Sequence, residues 1–91
     1  MRDVVASWRF RKDLRRQASR GKRLAKLENA VDILREHGEL PPAHKAHPLH
    51  GDWEGTMDCH IEPDWVLIYS IDDNVVRFVR TGSHSDLFKS Y

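Results

Sequence analysis

One cysteine, Cys59, is all that the 91-residue sequence holds for thiol chemistry, so an internal disulfide framework is excluded and a reducing compartment fits. No apolar run approaches the roughly 20 residues that a membrane-spanning helix needs. The basic N-terminus also has none of the apolar stretch of a secretory signal. The expected location is therefore the cytoplasm, with no membrane partner. Internal repeats and low-complexity segments are absent as well. At this length a second domain or a long structureless insertion has no room, so one domain over residues 1–91 is expected. Its core must be modest, and three Trp, three Phe and two Tyr supply much of the volume.

Net charge is nearly absent too, at +1, but the balance hides a strong polarity. Residues 1–35 hold eleven bases against four acids, a net +7, while residues 36–91 hold four bases against ten acids, a net −6. Such asymmetry points to nucleic-acid or membrane-surface contact, with a solvated, salt-paired helix face as the plain alternative.

Arg2–Ala6 reads as a first strand, and Ser7 suits the N-cap of a helix that starts near Trp8. Phe10, Leu14 and Ala18 recur at four-residue spacing as one apolar stripe, leaving Arg11, Lys12, Arg15 and Arg16 elsewhere on the helix. Gly21 breaks the run. A second helix follows with Leu24, Leu27, Val31 and Leu34 on one face, ending at Gly38 before Pro41–Pro42. After Gly51 the period changes. Met57, Cys59 and Ile61 alternate with Asp58, His60 and Glu62, the pattern of a half-buried strand. Pro63–Asp64 suits a turn, and Trp65–Ile71 is apolar on both faces, as a covered central strand requires. Asp72–Asn74 makes the next turn and Val75–Thr81 the next strand. The expected fold class is α+β: an N-terminal strand and helical hairpin packed on a mostly antiparallel sheet.

Five of the six histidines follow residue 43 and lie near acids and turns. His44, His47 and His50 occupy a Pro/Gly-bounded loop, His60 shares a strand face with Asp58, Asp64 opens a turn, and His84 sits near the C-terminus. In a three-stranded meander, Asp58, His60, the His47 loop and the His84 tail can meet as an acid–base cluster. Histidine suits RNA cleavage because RNA carries its own nucleophile, the 2′-OH. The enzyme has only to move protons and neutralise charge, and imidazole titrates near neutrality. Arg77 and Arg80 are candidate phosphate clamps, and Trp53 or Phe88 could stack on an unpaired base. Each feature also has a plain reading: a surface histidine, a turn-forming Asp64, an Arg80 paired with an acid, a Phe88 that plugs the core edge. A zinc site built from His44, His47, His50, Asp58, Cys59 and His60 is the main chemical competitor. It is disfavoured because the His-x-x-His-x-x-His spacing crosses Pro48 and no second Cys supports it.

The C-terminal half is more specific. The run His47-Pro48-Leu49-x-Gly51-x-Trp53-x-Gly55-x-x-Asp58-x-His60-x-x-Pro63-Asp64-Trp65-x-Leu67-Ile68-Tyr69, followed by Arg80-Thr81-Gly82-x-His84-x-x-Leu87-Phe88, closely resembles the YafQ-type toxins of the RelE/ParE toxin–antitoxin superfamily. The opening Ser7-x-x-Phe10-x-Lys12-Asp13 also resembles that superfamily, though the helical part matches only in pattern. The resemblance implies a compact RelE-like fold and a metal-independent endoribonuclease that needs no cofactor. It would cut mRNA in the A site of the 70S ribosome, inhibit translation, and be neutralised by a cognate antitoxin. DNA contact would come only through the antitoxin complex. The family's active-site positions fall here on His47, Asp58, His60, Asp64, His84 and Phe88.

On this footing His84 is expected as general acid to the leaving 5′-oxygen, and Asp64 with His60 as the base for the 2′-OH. His47 would help hold the scissile phosphate, Arg80 would add charge, and Phe88 would orient a base. The acid and base assignments can be exchanged without altering the chemistry. The rival readings are a ParE-like, non-catalytic inhibitor of DNA gyrase with the same fold, and an RNA- or protein-binding module without turnover. A protein that only binds has no need of several titratable groups in one cleft.

Overall fold

Ser7 is where the chain turns from strand to helix. In the computed structural model, which describes residues 1–88, β1 (Asp3–Ala6) ends just before it and α1 (Trp8–Ser19) begins just after it. The Ser7 Oγ accepts from the Phe10 backbone N–H at 2.9 Å and donates to the Val79 carbonyl at 2.8 Å. One hydroxyl thus caps the helix and ties it to a strand distant in sequence. α2 (Leu24–His37) stops at Gly38, whose φ of 82° is the left-handed conformation that glycine adopts without strain. A 3-10 turn at Pro42–His44, the short strand β2 (His47–Pro48) and a second 3-10 turn at Gly51–Trp53 come next. Then follow β3 (Met57–Glu62), β4 (Trp65–Ile71), β5 (Val75–Gly82) and the four-residue α3 (His84–Leu87).

The strands form one sheet in the order β1-β5-β4-β3-β2. β2 to β5 pair antiparallel in sequence, as expected of the meander. β1 adds to the outer edge of β5 in parallel, which the two intervening helices make sterically simple. The expected turn between β4 and β5 is closed by Asp72, whose Oδ1 accepts from the Asn74 and Val75 backbone N–H groups, each at 2.8 Å.

β4 lies in the middle of the sheet, and its unbroken apolar run is covered on both faces. Trp65, Leu67 and Tyr69 meet Phe10 of α1 and Leu27 and Leu34 of α2 in the main core. Val66 and Ile68 face the other way and pack with Leu87, Leu49, Trp53, Val79 and Phe88. No helix among the described residues is long and apolar enough to cross a membrane.

α1 departs from the expected stripe. Phe10 is buried and Leu14 half-buried, but Ala18 is exposed, and Asp13 and Gln17 take the inward positions. The cause is the Asp13 carboxylate. Its Oδ2 accepts from Arg80 Nε at 2.6 Å and from the Thr81 backbone N–H at 3.2 Å, while its Oδ1 accepts from Arg80 Nη2 at 3.1 Å. The Thr81 hydroxyl accepts from Trp65 Nε1 at 2.9 Å and donates to the Val66 carbonyl at 2.8 Å. Satisfying an ion pair of this depth outweighs the small apolar area of one alanine methyl.

Asp13→Ala would leave the Arg80 guanidinium, 17% exposed, and the Thr81 N–H without their acceptor. The expected cost is on the order of 2–3 kcal/mol, lowering the thermal midpoint by roughly 10–20 °C for a domain of this size. Ala18→Gln should shift it by less than about 3 °C. Equal losses in the two variants, read by circular dichroism, would contradict the inward placement of Asp13.

Candidate active site

The alternation of β3 and its register against β4 decide which side chains meet. Asp58 stands opposite Ile68 and His60 opposite Val66, so both lie on the second face of the sheet, away from the main core. β2 sets His47 directly beside Asp58. The turn between β3 and β4 carries Asp64, and α3 begins at His84. These elements bring His47, Asp58, His60, Asp64 and His84 together at one end of that face, with Phe88 closing α3. The His60 and His84 ring centroids are 5.3 Å apart. Phe88 lies 6.2 Å from the His84 ring and 6.1 Å from Trp53, which it meets edge-on.

Each of the three histidines commits its Nδ1 to the protein. His84 Nδ1 lies 2.6 Å from Asp64 Oδ1, which also accepts the His84 backbone N–H at 3.0 Å. His60 Nδ1 donates to the Pro63 carbonyl at 3.3 Å, and His47 Nδ1 to the Lys45 carbonyl at 3.3 Å. A carbonyl can only accept, so Nδ1 carries the proton in the last two rings. The Nε2 atoms are then the ones left over, each able to accept a proton or, once protonated, to deliver one.

The two carboxylates are tuned in opposite directions. Asp64 is held below the usual carboxylate range, first by the His84 backbone N–H and then by the ring. Asp58, 4% exposed, is pushed up by burial, against the pull of His47, His60 and His84. Its Oδ1 lies 2.8 Å from His47 Nδ1, but the ring N–H does not aim along that line. That oxygen therefore has no hydrogen-bond donor among the described residues. Burial pushes the neighbouring Cys59 thiol up to about 12, so it stays protonated on the core side of β3.

Several expected residues take other partners or fall elsewhere. Asp64 was expected to work with His60 and is instead bonded to His84. Arg80 stands opposite Ile68, two strands from Asp58, or about 10 Å by strand spacing. Two of its nitrogens are taken by Asp13. It lines an adjoining open groove of about 740 Å³ with Arg9, Arg16, Asp52, Trp53, Asp86 and Leu87. Arg77 is exposed near Asp72, at 3.7 Å. His44 Nδ1 donates to the His60 carbonyl at 3.0 Å, and His50 is exposed beside Glu54. Among the described residues no three His, Cys, Asp or Glu side chains converge as metal ligands, so the considered zinc set does not assemble. Sequence reasoning missed the role of Arg9 and Arg16 in the groove. Their seven-residue spacing, two turns on one helix face, was the available signal.

Over residues 2–89 the sequence matches a family described as the YafQ bacterial toxin of type II toxin–antitoxin systems. It is 42% identical over 88 residues to the mRNA interferase toxin YafQ of Escherichia coli K12, covering 96% of each chain. The fold superposes on YafQ in the crystal structure of the E. coli DinJ–YafQ complex with a TM-score of 0.89, at 42% identity and covering 97% and 99% of the two chains. A metal-bound toxin from Helicobacter pylori gives a TM-score of 0.88 at 38% identity, covering 97% and 100%.

The buried, under-bonded Asp58 carboxylate should cost stability. Its folded pKa is raised, so the neutral form favours folding at low pH and that contribution is lost as pH rises through the folded value. Asp58→Asn is therefore expected to melt a few degrees higher than wild type at pH 7, with the gap closing as pH falls through the Asp58 titration. Thermal melts at stepped pH check this, and a lower midpoint for the variant at neutral pH would refute it.

Proposed function

Since the chain belongs to the YafQ family of bacterial type II toxins, we propose that it is an endoribonuclease that cuts mRNA on the ribosome and so arrests translation in the cytoplasm. The observation that carries this reading is the set of three histidines with anchored Nδ1 atoms, gathered beside two carboxylates at one end of the sheet. His60 Nε2 takes the 2′-OH proton as that oxygen attacks phosphorus. His84 Nε2 gives a proton to the 5′-oxygen as the P–O5′ bond breaks. The products are a 2′,3′-cyclic phosphate, open to hydrolysis to a 3′-phosphate, and a free 5′-OH. Each placed acid or base is worth roughly 10²–10⁴ in rate.

Asp64 acts through His84: it fixes the ring through Nδ1 and the helix start through the backbone N–H, as a carboxylate behind a catalytic imidazole does. His47 faces the scissile phosphate, its Nδ1 2.8 Å from Asp58 Oδ1. Phe88 and Trp53 form an aromatic edge on which an unpaired base can stack. Arg80 contributes charge from the groove wall, held by Asp13, with Arg9 and Arg16 beside it to track the backbone.

The partner is a cognate antitoxin, a reading supported by the DinJ complex of the E. coli relative. The shallow apolar groove of half-buried Leu14 and Leu24 with exposed Ala18, flanked by Arg11 and Arg15, suits an amphipathic segment with acidic edges. DNA contact would then come only through that complex.

Primer extension on a reporter mRNA, with 70S ribosomes present or absent, tests the cleavage. Discrete cuts should need the ribosome and fall at least about 100-fold in His84→Ala. No cuts under any condition, with gyrase supercoiling inhibited instead, would replace this reading with the ParE-like one. Charge reversal at the exposed Arg15 and Arg23 should weaken ribosome association and flatten its salt dependence. Unchanged sedimentation with ribosomes would remove the docking role of the basic helices.

A further inference from the structure

A helix of four residues cannot hold its own shape, because a single turn fixes several dihedrals for very few hydrogen bonds. α3 is such a helix, and His84 is its first residue. Its position has to be imposed from outside. On one side Asp64 accepts both the His84 backbone N–H and ring Nδ1, but that carboxylate is itself 69% exposed on a turn. The other side rests on Asp86.

Asp86 closes a capping box with Ser83: its Oδ2 accepts the Ser83 N–H at 3.0 Å, and its own N–H donates to Ser83 Oγ at 3.1 Å. The same carboxylate receives a two-pronged guanidinium, with Arg20 Nη1 at 2.6 Å from Oδ2 and Nη2 at 3.2 Å from Oδ1. Arg16 stands 3.8 Å away as a second cation. Arg20 is the C-cap of α1, its backbone N–H bonded to the Arg16 and Gln17 carbonyls. Gly82 makes the approach feasible, since a Cβ there would sit 2.9 Å from Asp86 Oδ2. A mechanical chain therefore runs from β5 through Asp13 into α1, from Arg20 to Asp86, and from α3 to the His84 ring.

We propose that Arg20 and Asp86 are positioning residues for the cleavage reaction, clamping α3 to the end of α1 so that the His84 ring is held toward the substrate. This rests on the reading of His84 as a proton donor, and it concerns rate more than stability. A solvent-facing ion pair adds little to folding, whereas about 1 Å of misplacement of a catalytic group costs on the order of 100-fold in rate. Neither residue needs to touch RNA for this effect.

The test compares wild type, Arg20→Ala, Arg20→Lys and His84→Ala in single-turnover and steady-state cleavage of ribosome-bound mRNA. Melting curves and ¹⁵N–¹H spectra of the histidine rings accompany it. Arg20→Ala should lower kcat roughly 10- to 100-fold, with KM within about twofold and the thermal midpoint within a few degrees. The His84 signals should move from a single Nδ1–H tautomer toward a mixture, and Arg20→Lys should recover part of the rate. A wild-type kcat in Arg20→Ala beside an inactive His84→Ala would overturn the clamp alone. A loss confined to KM would overturn it in favour of a direct phosphate contact. Full cutting by His84→Ala would overturn the catalytic reading and the clamp with it.

Discussion

The Asp13 carboxylate takes three donors from β5: two from the Arg80 guanidinium and one from the Thr81 backbone. A carboxylate this deep in a helix–sheet contact needs such partners, because burying it unpaired is far costlier than any local packing gain. Much else follows from meeting that need. α1 rolls until Asp13 faces β5, which carries Gln17 inward and Ala18 outward. Thr81, held by Asp13 on its N–H, is placed to receive the Trp65 indole on its hydroxyl, locking β5 to β4 in the core. Ser7 fixes the other end of the same contact through the Val79 carbonyl. The orientation of α1 then decides where Arg9, Arg16 and Arg20 point.

The histidine-bearing face, the candidate active site, is arranged differently. Its histidines come from a two-residue strand, a bulged strand and a one-turn helix, none of which is rigid by itself. Anchoring each ring through Nδ1 compensates, since one hydrogen bond sets both the tautomer and the direction of the opposite nitrogen. Two of the acceptors, Lys45 and Pro63, serve through backbone carbonyls. Lys45 is the only non-glycine residue with positive φ among those described. Asp58 is the exception to good bonding on this face, and an unsatisfied buried oxygen is the kind of local cost that functional sites retain.

Charge segregation along the chain is partly spent inside the fold. Lys22 and Lys26 close on Glu62, Arg20 on Asp86 and Arg80 on Asp13, each joining the basic half to the acidic half or to the sheet. What stays on the surface is narrower than the count suggests: Arg9, Arg11, Lys12, Arg15 and Arg23 remain exposed along the helices. This smaller set is what a polyanion would meet.

Where a feature depends on neighbours along the chain, the sequence by itself determined it. The Ser7 cap, the glycine stop at Gly38, the Asp72–Asn74 turn and the doubly covered β4 each follow from periodicity or turn chemistry within a few residues. The C-terminal motif was likewise legible as a contiguous pattern, and with it the family. Tertiary structure alone decided the parallel docking of β1, the inward turn of Asp13, the pairing of Asp64 with His84 rather than His60, and the seat of Arg80 on a groove wall. Those partners lie 20 to 72 residues apart. A charge or a ring at such separation has many candidate partners of equal chemistry. Only the strand register and the roll of α1 choose among them.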